Sequence, residues 1–176
     1  MVTGVAGSGK TTVGRALAER VGARFVDADD HHPESSIVKM SRGIPLTDDD
    51  RFPWLESLAD IIAEHLSIDK PLVLACSALK QKYRDVLVRG CQSSPLSSTA
   101  PSLTNVKFIY LKCDIDTIRK RMSSRQNHFM PLSLIESQFA DLEEPSGGGV
   151  VVVDGGMDVD KIVVGIVVQL KVKKVK

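Results

Sequence analysis

Apolar residues along the chain follow two alternating patterns, one typical of helices and one typical of buried strands. Val13, Ala16, Leu17 and Val21 lie at positions i, i+3, i+4 and i+8, which places them on one face of a helix. Residues 72–76 are instead a continuous apolar run, as expected for a strand that is buried on both faces. These patterns predict a helix after residue 10 and a strand in the interior of a sheet.

The same two patterns alternate along the rest of the chain. Residues 1–3 leave room for only a short first strand. The predicted strands after it cover residues 24–27, 72–76, 106–111 and 150–153, and predicted helices cover residues 33–43, 78–88, 116–124 and 159–173. Another helix, with a row of large apolar side chains, follows Thr47 and Asp50, which have the spacing of a capping box. Regular alternation of strand and helix predicts an α/β fold with a parallel sheet and helices on both faces.

The composition is that of one ordinary globular domain. The chain has 176 residues, of which 43% are hydrophobic and 26% charged, and its net charge of +1 gives no field for nucleic acid or an anionic membrane. No apolar run reaches the length of a membrane span. The 3 cysteines have no C-x-x-C spacing, which favours reduced thiols in a cytoplasmic protein. Residues 91–105, rich in Ser, Pro and Thr, are predicted to form a mobile surface loop.

Residues 4–11 match the phosphate-binding pattern G-x-x-x-x-G-K-[ST] without a mismatch. Glycines let the backbone wrap so that successive amides point at phosphate oxygens, and the following helix directs its positive end at the same anion. Lys10 would contact the β- and γ-phosphates, and the Thr11 hydroxyl would bind Mg²⁺. We therefore expect an ATP site formed by Gly4, Val5, Ala6, Gly7, Ser8, Gly9, Lys10, Thr11 and Thr12.

Two carboxylates follow the second predicted strand. Asp27 and Asp29 would lie at the carboxyl edge of the sheet, where ligands of open α/β sheets bind. One could hold a Mg²⁺-bound water, and the other could orient or deprotonate an attacking hydroxyl. The alternative is a polar turn with Asx caps. His31 and His32 follow, but no other metal ligands stand at useful spacing.

A basic group follows the third predicted strand. Lys80 and Arg84 are four residues apart, which predicts a shared helix face that could bind an anionic substrate. A solvated basic face is the alternative. Arg51 is a weaker candidate for the same pocket, with a structural ion pair as its alternative.

A second basic group lies around residues 121–131, where a predicted helix ends in a loop. Arg121 and Arg125 are four residues apart and could close over ATP as a lid, neutralising the transferring phosphoryl group. His128 follows and is placed with the substrate contacts. The alternative is a basic helix end favoured by the helix dipole.

These residues also carry a family resemblance over nearly the whole chain. The sequence resembles the gluconokinases of the small phosphate-loop type, whose fold is shared with shikimate and nucleoside monophosphate kinases. Besides the phosphate loop, the resemblance rests on D-A-D-D-H-H-P (27–33), G-I-P-L-T-D-D-D-R-x-P-W (43–54), C-S-A-L-K-x-x-Y-R-D (76–85), H-F-M-P (128–131) and Q-F-x-x-L-E-E-P (138–145).

The resemblance implies a specific activity and architecture. It implies ATP-dependent phosphorylation of D-gluconate to 6-phosphogluconate, with Mg²⁺, by a homodimer of three-layer α/β/α subunits whose five-stranded sheet has the order 2-3-1-4-5. By similarity to shikimate kinases, Asp27 would lie near Mg²⁺ and Asp29 near the accepting hydroxyl, and Arg121 and Arg125 match lid positions. Two alternatives remain: a kinase for shikimate or a nucleoside monophosphate, and a nucleotide-binding switch without phosphotransfer.

Overall fold

Five strands and seven α-helices follow one another along residues 1–89, 106–124 and 132–171, which are the residues that the computed structural model describes, with two helices in each of the second and fourth connections. The strands are β1 (Val2–Thr3), β2 (Arg24–Asp27), β3 (Leu72–Ala75), β4 (Phe108–Lys112) and β5 (Val150–Asp154). The helices are α1 (Lys10–Val21), α2 (Glu34–Ser41), α3 (Asp48–Ser67), α4 (Gln81–Arg89), α5 (Ile115–Ser123), α6 (Leu132–Asp141) and α7 (Val159–Leu170).

All five strands are parallel and lie in the order β2-β3-β1-β4-β5, which confirms the predicted sheet. Because the strands run in one direction, the segments that follow β1, β2 and β3 all emerge at the same edge. The phosphate loop, the two predicted carboxylates and the predicted basic group therefore share one side of the sheet.

Strand β1 has two residues, although it lies at the centre of the sheet. Val2 is paired with Ala75 on one side and with Ile109 on the other. Backbone bonds beyond the strand extend this pairing, since the Met1 carbonyl accepts from Ile109 N at 2.7 Å and the Met1 ammonium donates to the Lys107 carbonyl at 2.6 Å. Val2 is fully buried.

Each face of the sheet is covered by its own helices. On one face, α1 and α7 pack over side chains that include Val73 and Leu111. On the other, α3 and α4 pack over side chains that include Leu74 and Cys76. Adjacent residues of β3 thus point to opposite layers, as the continuous apolar run at 72–76 requires. The result is the predicted three-layer α/β/α arrangement.

The Thr47 capping box at the start of α3 is confirmed, because the Thr47 hydroxyl accepts from Asp50 N and the Asp50 carboxylate accepts from Thr47 N.

Several boundaries differ from the prediction. Helix α4 was expected from residue 78, but it begins at Gln81 because Ala78 has φ 40°, which no right-handed helix accommodates. A 3₁₀ turn over Ala28–His31 and helix α6 were not predicted. The predicted mobile loop at residues 91–105 lies outside the described residues. Among the helices described, none is long and apolar enough to cross a membrane.

Candidate functional site

The phosphate loop connects β1 to α1 and has the conformation that its glycines allow. Gly4 has φ 146°, and a Cβ there would lie 2.9 Å from the Leu111 carbonyl oxygen. Gly9 has φ 98° and forms the N-cap of α1, with Lys10 as the first helical residue. The Lys10 ammonium donates to the Val5 carbonyl at 3.1 Å, so the side chain folds back along the loop. This glycine-lined turn, with a lysine and a helix N-terminus, fits the phosphates of ATP.

Thr11 and Asp27 form a hydroxyl–carboxylate pair beside the loop. Thr11 Oγ1 donates to Asp27 Oδ2 at 2.7 Å. The other oxygen, Asp27 Oδ1, accepts from Asp29 N at 3.2 Å and caps the 3₁₀ turn. Within the described residues no three His, Cys, Asp or Glu side chains form a metal-binding group. A hydroxyl beside a carboxylate could hold Mg²⁺ and its waters, because Mg²⁺ takes few protein ligands when phosphates are bound.

Asp29 lies on the 3₁₀ turn, with 75% of its side chain exposed. His32 Nε2 is 3.9 Å from Asp29 Oδ1, while the His32 ring stacks on Trp54 with 4.0 Å between ring centroids. Trp54 Nε1 donates to the Ala28 carbonyl at 2.9 Å, which fixes the turn against α3. Burial lowers the pKa of His32, so its ring is neutral at pH 7. The turn thus presents the Asp29 carboxylate on a rigid support.

The phosphate-loop lysine and both aspartates lie at the same edge of the sheet. The Cys76 thiol, buried at the end of β3, has its pKa raised to about 12 by burial, and it also experiences the charges of Lys10, Asp29 and Asp27. Asp27 is paired with Ala75 at the end of β3, and its Oδ2 accepts from Thr11, the residue after Lys10, so these groups lie around the same strand end. The topology therefore assembles them as expected from the order of the sheet.

Arg51 and Lys80 meet at a single carboxylate that was not predicted. Lys80 Nζ is 2.9 Å from Asp141 Oδ1, and Arg51 Nη1 is 3.6 Å from Asp141 Oδ2. The hydrogen bond to Asp141 raises the pKa of Lys80, which keeps its ammonium charged. Lys80 follows β3 and the turn that carries Asp29 follows β2, and these two strands are paired, so the cations lie at the same edge of the sheet as that turn. Arg51 and Lys80 thus form a cationic pair on the acceptor side of the site.

A second carboxylate contacts Lys80 directly and is linked to Arg51 through Tyr83. Asp48, the first residue of α3, accepts hydrogen bonds from Lys82 and the Tyr83 hydroxyl, and these lower its pKa to about 2. Tyr83 in turn accepts a hydrogen bond from Arg51 Nη1 at 3.1 Å. Lys80 Nζ is 3.9 Å from Asp48 Oδ1. Asp48 and Tyr83 therefore fix the positions of Arg51 and Lys80.

Arg84 does not share a helix face with Lys80, and this part of the prediction is wrong. Lys80 precedes α4, whereas the Arg84 side chain turns back into the preceding loop and is only 3% exposed. Its Nη1 donates to the carbonyls of Ala78 and Leu79 at 2.9 Å each, and its Nη2 donates to Gln81 Oε1 at 2.9 Å. Because its donors are used within the protein, Arg84 holds the loop that carries Lys80 rather than facing a substrate.

Arg121 lies against the phosphate loop. Its Nη1 donates to the Ser8 carbonyl at 3.3 Å, and its Nη2 donates to the Gly155 carbonyl at 2.6 Å. It thus connects the loop to the turn after β5, next to the predicted ATP site. The other two predicted residues of this segment, Arg125 and His128, lie outside the described residues.

Two residues of α6 make contacts with the site that the sequence does not predict. Gln138 Oε1 accepts from the Ala6 amide of the phosphate loop at 2.7 Å, and one turn later Asp141 contacts Lys80 and Arg51. The sequence signal for both is the Q-F-x-x-L-E-E-P stretch (138–145), which contributes to the family resemblance but does not by itself indicate what its residues contact.

The fold and the site together define the class of phosphate-loop kinases. The family model for shikimate kinase matches residues 6–144. A probable gluconokinase of Mus musculus is 48% identical over 83% of this chain and 82% of its own length. A solved gluconokinase from Sinorhizobium meliloti 1021 has a TM-score of 0.80 and 40% identity, covering 97% of this chain and 89% of its own. A solved sugar kinase from Janibacter sp. HTCC2649 has a TM-score of 0.84 and 38% identity, with coverage of 97% and 92%. The chain therefore belongs to the gluconokinase family.

Proposed function

We propose that this protein transfers the γ-phosphoryl group of ATP to the terminal hydroxyl of D-gluconate, forming 6-phosphogluconate. The observation that carries the proposal is the cationic pair Arg51 and Lys80, which lies at the same carboxyl edge of the sheet as Asp29, in a chain 48% identical to a probable gluconokinase. A sugar acid needs such an arrangement, because one end is a carboxylate and the opposite hydroxyl must react.

The donor side of the reaction uses the phosphate loop. ATP supplies the phosphoryl group, and Mg²⁺ neutralises part of its charge. The amides of the phosphate loop other than that of Ala6, which donates to Gln138, and the ammonium of Lys10 would bind the phosphates, while Thr11 and Asp27 would hold the metal and its waters. Arg121, already at Ser8, would lie beside the nucleotide, and Arg125 would add a lid cation.

The acceptor side orients gluconate between two charged ends. Arg51 and Lys80 would bind its carboxylate, so that the chain of hydroxyls extends toward the phosphate loop. Asp29 would accept the proton of the terminal hydroxyl as its oxygen bonds to phosphorus and the bond to ADP breaks. Arg84 would act by holding the Lys80 loop, and His128 would add a further contact to the hydroxyl chain.

One coupled assay of ADP release tests this assignment. Gluconate, glucose, shikimate and AMP would be compared as acceptors at equal concentrations. We expect gluconate to be turned over best and glucose poorly, because glucose has no carboxylate to contact Arg51 and Lys80. Since the shikimate kinase model matches most of the chain, shikimate is the strongest competitor. Higher turnover of shikimate or AMP than of gluconate would contradict the assignment.

A further inference from the structure

The Asp141 carboxylate binds the cationic pair in the way that a substrate carboxylate would. Its two oxygens contact different cations, with Oδ1 at 2.9 Å from Lys80 Nζ and Oδ2 at 3.6 Å from Arg51 Nη1. These are the two side chains to which the proposed function assigns the carboxylate of the sugar acid, and the inference rests on that proposal. One carboxylate bridging two cations leaves limited space for another in the same position.

We propose that Asp141 is an internal competitor for the carboxylate subsite, and that a sugar acid binds by displacing it from Arg51 and Lys80. Asp141 thereby determines how strongly the site holds an anionic substrate. It is a specificity-determining residue that contacts neither the reacting hydroxyl nor the phosphate.

The position of Asp141 makes the displacement feasible. It is the last residue of α6, so its side chain can turn away without breaking the helix. Its side chain is 28% exposed, and the released carboxylate would reach water at small cost. The helix itself is held independently, since Ile135 is 2% exposed and Gln138 bonds to the Ala6 amide at 2.7 Å. Only the Asp141 side chain therefore needs to move.

The cations, in contrast, stay in position when Asp141 leaves. Arg51 is held by the Tyr83 hydroxyl at 3.1 Å, and Lys80 lies 3.9 Å from Asp48. Three cations (Arg51, Lys80 and Lys82) share the two carboxylates of this cluster, so the group carries excess positive charge even with Asp141 in place. When Asp141 is displaced, the substrate carboxylate would interact with this excess positive charge in its place.

The test is the affinity of the protein for gluconate and for sorbitol, its neutral polyol counterpart, measured by calorimetry without nucleotide. In Asp141→Asn and Asp141→Ala the dissociation constant for gluconate should fall about two- to fivefold, the range expected for a partly exposed ion pair. Sorbitol should bind both variants as it binds the wild type. The KM for gluconate should fall in parallel, with kcat little changed.

Two control variants test whether the effect is specific to the carboxylate at position 141. Glu136→Gln removes another carboxylate of α6, one that pairs with Arg119 at the surface, and should leave gluconate binding unchanged. Asp141→Glu restores the charge and should bring the affinity back toward the wild-type value.

Different results would contradict the role of Asp141 and the proposed function. Weaker gluconate binding in both neutral variants would show that Asp141 positions the cations, and equal tightening for gluconate and sorbitol would show that it only blocks space. Either result overturns the proposal while leaving the kinase assignment intact. A wild-type protein that neither binds nor phosphorylates gluconate would overturn both.

Discussion

Arg84→Met tests whether the buried arginine supports the substrate loop or contacts the substrate. Methionine is close to arginine in length and fills the same space, but it has no donors. The Ala78 carbonyl, which accepts from Arg84 Nη1 at 2.9 Å, would lose this donor, and no other donor to it is found within the described part of the chain. The Leu79 carbonyl would keep its bond from Glu143 N at 3.0 Å.

The expected cost follows from these contacts. An orphaned buried carbonyl costs about 1–3 kcal/mol, and a lost bond from a charged donor to Leu79 adds about 1 kcal/mol, because Leu79 retains a partner. The bonds to Gln81 contribute little, since that side chain is exposed and can turn to water. We therefore expect a loss of about 2–4 kcal/mol in the free energy of unfolding, which corresponds to a fall in Tm of about 5–15 °C for a domain of this size.

Urea unfolding and steady-state kinetics on the same preparations provide the measurement. Arg89→Met is the matched control, because Arg89 is an exposed arginine on the same helix and its replacement should change stability little. Kinetics would be measured at a temperature where all variants are folded. If Arg84→Met keeps wild-type stability and raises the KM for gluconate tenfold or more, Arg84 contacts the substrate and its assignment to the loop is wrong.

Three further predictions concern the phosphate loop, the acceptor carboxylates and the start of α3. Lys10→Ala should abolish turnover while unfolding remains cooperative by circular dichroism, and a folded variant with near-normal activity would remove the nucleotide-site assignment. Asp29→Asn should lower kcat by about 10²-fold or more with little change in the KM for ATP, whereas Asp27→Asn should chiefly raise the Mg²⁺ concentration needed; the reverse pattern would exchange their roles. Hydrogen bonds from Lys39 and then Thr47 lower the pKa of Asp50 to about 2, so its contribution to stability is complete above its usual pKa of 3.8 and is lost as the pH falls toward 2. Asp50→Asn should therefore be less stable than the wild type in thermal melts at pH 7, and a difference that persisted undiminished near pH 2 would contradict this reasoning.

Most secondary structure could be predicted from the sequence because its causes are local. The apolar spacing of Val13, Ala16, Leu17 and Val21 requires a helix, and α1 forms there. The run at 72–76 requires burial on both faces, and β3 provides it. Prediction of secondary structure fails where the sequence pattern is short or contradictory. The start of α4 was misplaced because a positive φ at Ala78 is imposed by the loop around it and leaves no pattern in the sequence.

The phosphate loop, too, was determined by the sequence alone, since each of its properties depends on a residue type at a fixed spacing. Which side chains face the acceptor side of the site depends instead on the tertiary structure. Lys80 and Arg84 are neighbours in the chain, yet one faces the site and the other is buried beneath it, because the loop at 76–80 needs a donor for its carbonyls. Lys80 and Arg51 instead both contact Asp141, although the three residues belong to segments that are distant in the chain. Charge pairs of this kind depend on distances in space, which no spacing along the sequence encodes.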